Sequence, residues 1–373
     1  MTSTDNTVVE ITEADIVQSG LSINRYSATG RNIEVGSTVA AELSLTLFNG
    51  DGRFDNTYFE GATLKVDIGI KKWDARNWEN AKLYYVPMGI FKVEGCPRKL
   101  STIEIKAMDN MIKFDSVADF TDISFPMSTN LLLDAVCTKC GVERASKTLD
   151  NGTYSVTQAP KGDSITYRQL VGWIAQIAGT CAFIDWDGKL RLAWYTTTTE
   201  SISESTCFSK SFQEKNVTID AVDIIADSSE AGQYGGDYPL QIIANKLIQH
   251  DSASLGDLIR AKLMGFTYLP FEATIISLPY LYPLDVISYE AASKTFPLAI
   301  TDVTFTINQG LKISGRGETA TQRKDGRTPI PFTPEFELVF NLLSSISMTK
   351  FVDKRMNNSI SAITTEKLTE ILV

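Results

Sequence analysis

Apolar and polar residues alternate along Ala41-Glu42-Leu43-Ser44-Leu45-Thr46-Leu47. Period-two alternation is the signature of a β-strand that buries one face. The turn Asn49-Gly50-Asp51-Gly52 follows, and three further alternating stretches come after it: Thr63-Leu64-Lys65-Val66-Asp67-Ile68-Gly69, Gly89-Ile90-Phe91-Lys92-Val93 and Thr102-Ile103-Glu104-Ile105-Lys106-Ala107. Short strands at this spacing predict a small antiparallel β-barrel or sandwich over residues 1–117.

Residues 118–210 change to a mixed α/β pattern. Leu132, Val136 and Cys140 recur on one helical face, and Gly141 can close that helix as a C-terminal cap. A second helix begins at Thr166-Tyr167-Arg168-Gln169, a capping-box pattern, and ends at Gly179. A hairpin follows, with one strand from Cys181 to Trp186, a two-residue turn Asp187-Gly188, and a return strand from Lys189 to Trp194.

Residues 211–320 are β-rich again, with a helical insertion at about 230–268. A helix is predicted at about 254–265, where Ser254 and Asp257 could cap it and Leu255, Leu258, Ile259 and Leu263 form its apolar face. The polar run from Gln322 to Pro331 is typical of a linker. A C-terminal helical segment should begin at Thr333-Pro334 and fill the remainder of 321–373.

The two β regions show a weak internal similarity in strand order. Residues 64–68, 91–94 and 101–105 of the first region correspond to residues 285–289, 299–302 and 310–314 of the second. Either a duplication or the chance likeness of two β-meanders accounts for the match. The predicted fold class is therefore α+β and β-rich, with two small antiparallel β-barrels, an α/β insert domain and C-terminal helices.

Length, apolar content and net charge limit the classes of function that this chain can have. The 373 residues suggest two to four domains, and no apolar run approaches the roughly 18 residues of a membrane span. The polar, acidic N-terminus is not a secretory signal, so synthesis in a cytoplasm is expected. The net charge of −10 disfavours binding to nucleic-acid phosphates. It is compatible with the wall of a channel through which DNA passes without binding.

The cysteines are predicted to be reduced packing residues and not disulfide-bonded, metal-binding or reactive groups. Five of them, an odd number in a long chain, argue against a disulfide framework. Cys137 and Cys140 form a CxxC pair, but a structural zinc site would need a second such pair. The pair also falls at the C-terminal end of its predicted helix, where the helix dipole opposes a reactive thiolate.

Other catalytic patterns are sparse. His250 is the only histidine, so any histidine-dependent triad would have to use it, and two-histidine zinc motifs are excluded by count. The local carboxylate pairs are Asp51 with Asp55 and Asp185 with Asp187, all at predicted turns, where aspartate is common. Calcium binding by residues 49–55 lacks the EF-hand spacing, and no phosphate-binding loop occurs. No catalytic, cofactor-binding or metal-binding residue is predicted, and no cofactor.

Aromatic residues cluster around Lys71-Lys72. The pairs are Trp73 with Trp78 and Tyr84 with Tyr85. Stacking on a sugar or a nucleic acid would explain them, and so would a strand-connecting excursion that packs on a neighbouring subunit.

Three stretches together resemble the hub family of phage tails and related injection machines. The first is 42–55 with its continuations at Gly61-Ala62-Thr63-Leu64-Lys65-Val66, Met88-Gly89-Ile90-Phe91-Lys92-Val93 and Ile105-Lys106-Ala107-Met108-Asp109. The second and most specific is 167–179 followed by 182–192. The third is Leu281-Tyr282-Pro283-Leu284-Asp285-Val286-Ile287, leading to Ile300-Thr301-Asp302 and strands through Gly317. In the third stretch, Leu284 stands where the family usually has glycine.

The resemblance covers about residues 20–320 and implies a homotrimer in which each chain contributes two related barrels. Three chains would then present six similar modules to a sixfold tail tube. The implied partners are the distal tail protein or tube hexamer, the tape measure protein, and a tip spike, fibre or receptor-binding subunit. The implied location is the tail tip of the virion, assembled in the host cytoplasm, with DNA passing only through the lumen.

Two alternatives remain open from the sequence. The chain could be the hub-bearing fragment of a tail-associated cell-wall hydrolase, although only about 50 residues follow Gly317 and they lack catalytic residue types. It could also be a carbohydrate-binding host-recognition protein built on small β modules. The structural hub without enzymatic activity is the preferred hypothesis.

Overall fold

The computed structural model describes residues 8–72, 82–162, 164–225, 239–276, 278–291 and 294–317. The predicted linker and the helical segment beginning at Thr333 lie outside these residues, as do Trp73 and Trp78. The described part of the chain is mostly β, with 42% in strands and 17% in helices, so the β-rich part of the prediction is confirmed.

Within residues 8–72 and 82–117, the first β region has five strands: β1 (Ile16–Tyr26), β2 (Glu42–Phe48), β3 (Thr63–Lys72), β4 (Lys82–Gly95) and β5 (Thr102–Asp109). The predicted alternation is visible in β2, where Leu43, Leu45 and Leu47 are buried and the residues between them are more exposed. The four strands predicted from alternation are all present, and β4 begins seven residues earlier than its apolar pattern indicated.

The described residues of the middle region form three α-helices and several short strands. Their bounds are β6 (Met127–Ser128), α1 (Thr129–Cys140), β7 (Ser155–Val156), α2 (Tyr167–Ile177), β8 (Cys181–Ile184), β9 (Leu190–Ala193), β10 (Thr196–Ser203), β11 (Cys207–Phe212), β12 (Val217–Thr218), β13 (Ala221–Ile225), β14 (Pro239–Ile243) and α3 (Ser252–Leu263). None of the helices among the described residues has both the length and the apolarity that a bilayer span requires.

The final strands are β15 (Thr267–Tyr268), β16 (Phe271–Ile275), β17 (Asp285–Glu290), β18 (Thr295–Ala299), β19 (Asp302–Thr306) and β20 (Gly310–Gly315). The strand predicted at 299–302 does not form. Instead Thr301, fully buried, separates β18 from β19, and its hydroxyl donates to the carbonyl of Ser314 at 3.0 Å. The chain changes sheets at this residue.

Nine strands form one sheet in the order β11-β16-β20-β19-β1-β2-β5-β4-β3. The central strand β1 pairs antiparallel with β2 on one side and with β19 on the other; Ile23 lies opposite both Leu43 and Phe305. One continuous core, with Leu43 and Ile103 from the first β region and Ile275 and Ile313 from the second, lies against this sheet. Among the described residues the strand order is open at both ends, and closure of either half into a barrel stays a prediction.

A second core belongs to the mixed α/β region. Leu132 and Val136 of α1 pack there with Leu170 and Ile174 of α2. The predicted capping box is present: the Thr166 hydroxyl accepts from the Gln169 backbone N–H, and the Gln169 side chain accepts from the N–H of Thr166 at 3.0 Å. Gly141 closes α1 in the left-handed conformation, as predicted.

Two local predictions in this region are wrong. The N-cap of α3 is Asp251, with φ 46°, so Ser254 and Asp257 lie inside the helix, where Asp257 pairs with Arg260. The hairpin between β8 and β9 also has a wider turn than two residues. The Asp185 N–H donates to the Lys189 carbonyl at 2.9 Å, which encloses three residues, and Gly188 takes the positive φ of 76° that such a turn needs.

Candidate functional site

The turn at 49–55 is held by its own side chains. Asn49 Oδ1 accepts from the Phe54 N–H at 2.8 Å, and Asn49 Nδ2 donates to Asp55 Oδ1 at 2.7 Å. Gly52 has φ 72°, and Phe54 is buried edge-on against Phe59. No group of three or more metal-ligand side chains occurs in the part of the chain that the structure describes. The Asn and Asp residues of this stretch therefore shape the turn.

Asp109, the last residue of the first family-like stretch, organises the junction between β5 and the loop before β2. Its Oδ2 accepts from the Ala41 N–H at 2.9 Å, and its Oδ1 accepts from the Met111 N–H at 2.9 Å. Burial raises the pKa of the Asp109 carboxyl to about 6, against the opposing effect of these hydrogen bonds and of the Arg25 charge. Asp109 is a buried structural carboxylate.

Arg25 lies beside this junction and is also buried. It donates to the carbonyl of Met88, and its guanidinium lies over the Tyr282 ring, 4.5 Å from the centroid. The next residue, Gly89, has φ 121°, which a side chain would strain. One arginine thus connects β1, β4 and the loop before β17.

The two carboxylates Asp185 and Asp187 have different environments in the turn. Asp185 is buried, and its Oδ1 accepts from the N–H groups of Asp187 and Lys189 at 3.1 and 3.0 Å. Its other oxygen faces Arg191 at 3.3 Å. Asp187 is exposed. Asp185 stabilises its own hairpin.

Leu284 keeps the backbone conformation that a glycine would adopt. Its φ is 80°, and its N–H donates to the Ile300 carbonyl at 2.8 Å, while the Asp285 carboxylate accepts from the Tyr282 N–H at 2.8 Å. Leu284 is buried in a small core with Tyr195, Tyr268 and others. The family-like turn therefore forms without its usual glycine, at a cost in backbone strain.

The CxxC thiols have the environment of packing residues. Burial raises the pKa of Cys137 to about 12 and that of Cys140 to about 11. His250 stacks on Tyr154 with ring centroids 4.7 Å apart, and its Nε2 lies 2.6 Å from the Ser155 carbonyl oxygen. The catalytic candidates considered from the sequence therefore lie in separate local structures.

The surface offers a clearer candidate for function. Beyond the point where β4 pairs with β5, the strands β3 and β4 continue as a pair, residues 67–72 and 82–87, here called the ribbon. Ile68 and Val86 of the ribbon pack against the large core. Leu83, Tyr84 and Tyr85 on the ribbon are 47%, 51% and 68% exposed. Tyr84 and Tyr85, the described part of the aromatic cluster seen in the sequence, therefore lie exposed on this strand pair together with Leu83.

A second apolar surface was missed by the sequence reasoning. Phe208 and Ile276, here called the patch, are 70% and 53% exposed. The Ile276 N–H donates to the Thr206 carbonyl at 3.0 Å, which places Ile276 beside the start of β11. The register of β11 against β16 shifts between Cys207 and Ser209. That bulge turns Phe208 outward, and no short-range pattern predicts it.

No family model and no curated protein matches this chain. Solved structures of phage tail and baseplate proteins are similar to it. A 43 kDa tail protein of prophage MuSo2 from Shewanella oneidensis has a TM-score of 0.47 at 14% identity, over 79% of this chain and 92% of that chain. The prophage tail protein gp18 from Listeria monocytogenes EGD-e has a TM-score of 0.47 at 10% identity, over 86% and 95%.

A third similar structure is the E. coli c3393 protein, a type VI secretion component described as similar to the phage T4 tail proteins gp27 and gp5. Its TM-score is 0.44 at 9% identity, over 80% of this chain and 74% of that chain. These are proteins of the kind that the sequence resemblance names. Identities of 14% or less and TM-scores below 0.5 leave the function of this chain to be inferred from its own residues.

Proposed function

We propose that this chain is a structural, non-enzymatic hub of a phage-type tail tip or baseplate. Three copies would form a ring that adapts a sixfold tail tube to a threefold tip and closes the DNA channel before ejection. Its neighbours in the particle would be the distal tail protein or tube, the tape measure protein and a tip spike, fibre or receptor-binding subunit.

The observation that carries the proposal is the position of β1. Because β1 pairs with β2 and β19 at once, two β regions far apart in the sequence share one sheet and one core. A ring wall has to resist deformation, and a continuous sheet over a continuous core resists the relative movement of its halves. Each half would be one of the two related barrel modules, so three chains would present six modules to the tube.

The roles of the family-like residues support the same proposal. Gly52, Gly89, Asp109 and Gly188 each shape a turn or a strand junction. A scaffold protein requires such backbone-shaping positions. The net charge of −10 also suits a wall that faces passing DNA, because like charges repel.

The direct test is the mass of the purified chain in solution, measured by light scattering and by native mass spectrometry. Three copies are expected, alone or after addition of the distal tail protein. When particles are labelled with an antibody raised against this chain, electron microscopy should show the label at the tail tip. Cell-wall release by the purified chain would contradict the non-enzymatic role, and a monomer that binds host glycans would favour the host-recognition alternative.

A further inference from the structure

A small cavity lies where the first β region, the mixed α/β region and the second β region meet. Its volume is about 20 Å³, and the residues that line it are all buried or half-buried. The first β region contributes Arg25 and Asp109, β8 contributes Ala182 and Ile184, and the loop before β17 contributes Leu284. One water molecule needs about 10–15 Å³ of such space. The cavity therefore has room for about one water molecule.

The guanidinium of Arg25 brings an unpaired donor to this cavity. Arg25 is 3% exposed, and its Nη2 donates to the Met88 carbonyl. Its Nη1 is buried and has no hydrogen-bond partner among the described residues. A buried donor of a charged group that lacks an acceptor is costly, because the group has lost the water that solvated it in the unfolded chain. An acceptor close to Nη1 is therefore strongly favoured.

Asp109 supplies acceptor capacity on the wall of the same cavity. Its Oδ2 accepts from the Ala41 N–H and its Oδ1 accepts from the Met111 N–H, both at 2.9 Å. Each oxygen of an ionised carboxylate has two acceptor sites, so both oxygens can accept a further hydrogen bond. Burial raises the pKa of Asp109, and the Arg25 charge acts in the opposite direction. The two charges thus attract each other, although no direct ion pair joins them within the described part of the chain.

Two other polar side chains on the wall of the cavity are already paired. The Ser27 hydroxyl lies 3.0 Å from the Tyr195 hydroxyl, and Cys181 Sγ donates to the Glu34 carbonyl at 3.2 Å. The charged side chains on the wall are Arg25 and Asp109. An apolar cavity stays dry, whereas a cavity that offers a water two or more polar partners retains it. These two charges therefore decide what occupies the cavity.

We propose that one ordered water occupies this cavity, where it accepts from Arg25 Nη1 and donates to the Asp109 carboxylate. The water joins β1 to the end of β5 at the point where β8 and the loop before β17 also line the cavity. A bridge of this kind is nearly as favourable as a direct hydrogen bond, because immobilising one water costs little entropy. An anion is disfavoured at the same position, because Asp109 repels it. The water is thus a fixed part of the junction between the three regions.

The first experiment is a high-resolution crystal structure of the full chain, grown near pH 7. One water is expected at about 2.7–3.2 Å from both Arg25 Nη1 and an oxygen of Asp109. Crystals grown with bromide in place of chloride distinguish water from an anion, because bromide gives an anomalous signal. An anomalous peak in the cavity, a direct contact between Arg25 and Asp109, or a cavity without density would each overturn the proposal.

The second experiment fills the cavity in solution. Val39 lines the cavity, so Val39→Ile adds a methyl group that displaces the water and leaves Arg25 Nη1 unpaired. This variant should lower the equilibrium constant of folding at least about fivefold, measured by urea unfolding at pH 7. In an Arg25→Met background no unpaired guanidinium N–H faces the cavity, so the same substitution should change the constant less than about twofold.

Val66→Ile is the matched control, because Val66 is also half-buried but does not line the cavity. Its effect should be the same with Arg25 and with Met at position 25. If Val39→Ile also has equal effects in the two backgrounds, or stabilises the parent chain, the cavity holds no water that Arg25 needs and the proposal is wrong. If Arg25→Met does not fold, as judged by circular dichroism, the crystal structure decides.

Discussion

Asp109 and Ala41 form a reciprocal pair: the Asp109 N–H donates to the Ala41 carbonyl at 3.0 Å, and the Asp109 carboxylate accepts from the Ala41 N–H at 2.9 Å. The pair joins the end of β5 to the start of β2 and lies next to buried Arg25. A residue that the family resemblance singled out thus has a structural role at the centre of the first β region.

Replacing Asp109 by Asn should make stability less dependent on pH. The folded-state pKa of Asp109, about 6, lies above its ordinary value of 3.8, so the folded protein binds this proton more tightly than the unfolded chain. The stabilising contribution of the group is therefore complete below pH 3.8 and is lost as pH rises through 6. Urea unfolding of parent and Asp109→Asn between pH 4 and 7 should show a difference in free energy that changes across this window.

The same substitution leaves one backbone N–H facing an amide donor, which should lower stability by about 1–3 kcal/mol at pH 7. Asp122→Asn is the control, because that side chain is 84% exposed. A parent-minus-variant difference that stays constant with pH would show that Asp109 does not titrate in this range.

At position 284, replacement by glycine should destabilise the fold less than replacement by alanine, which is the reverse of the usual order. At φ 80° a Cβ is strained, so Leu284→Ala loses the buried side chain and retains the strain, while Leu284→Gly loses the side chain and relieves the strain. We expect Ala to cost about 2–4 kcal/mol and Gly about 1 kcal/mol less than Ala, measured by chemical denaturation. At Leu281, which is equally buried but has no positive φ, Ala should be the more stable of the two replacements.

Replacing Arg25 by Met should destabilise the fold by about 3–5 kcal/mol, because a buried hydrogen-bonded charge is removed from beside Asp109. The Met88 carbonyl loses its donor, and the Tyr282 ring loses its cation. A double-mutant cycle of Arg25→Met with Asp109→Asn should give a coupling energy of about 0.5–3 kcal/mol. Additive effects would mean that the two buried charges act independently.

Cys137 and Cys140 should react slowly with alkylating reagents in the folded protein. Since burial raises the pKa of Cys137 to about 12 and of Cys140 to about 11, little thiolate exists at pH 7.5. Iodoacetamide labelling followed by peptide mass spectrometry should find Cys140 modified about 100-fold and Cys137 about 1,000-fold more slowly than in urea, because their pKa values are raised from 9.0 by about two and about three units. Rapid labelling of either folded thiol would contradict this and show that the CxxC pair contains a reactive thiolate.

Features set by neighbouring residues were predicted correctly from the sequence. The Thr166–Gln169 capping box, the Gly141 cap and the alternation of β2 each depend on groups within a few positions of one another. At these positions the locally favoured conformation is also the one found in the complete fold. The sequence pattern alone was therefore sufficient to predict it. The N-cap of α3 was missed because Asp251 caps it from the left-handed conformation without a side-chain hydrogen bond, which leaves no pattern to read.

The sequence by itself determined the β-rich composition of the two outer regions, the mixed α/β region between them and the turn residues that shape each. Only the tertiary structure decided that β1 lies between β2 and β19, that Thr301 moves the chain from one sheet to the other, and that Leu284 adopts a positive φ. Each of these depends on contacts between residues far apart in the chain, such as Ile23 with Phe305. The energy of such contacts appears only when distant strands meet, and no short stretch of sequence carries it.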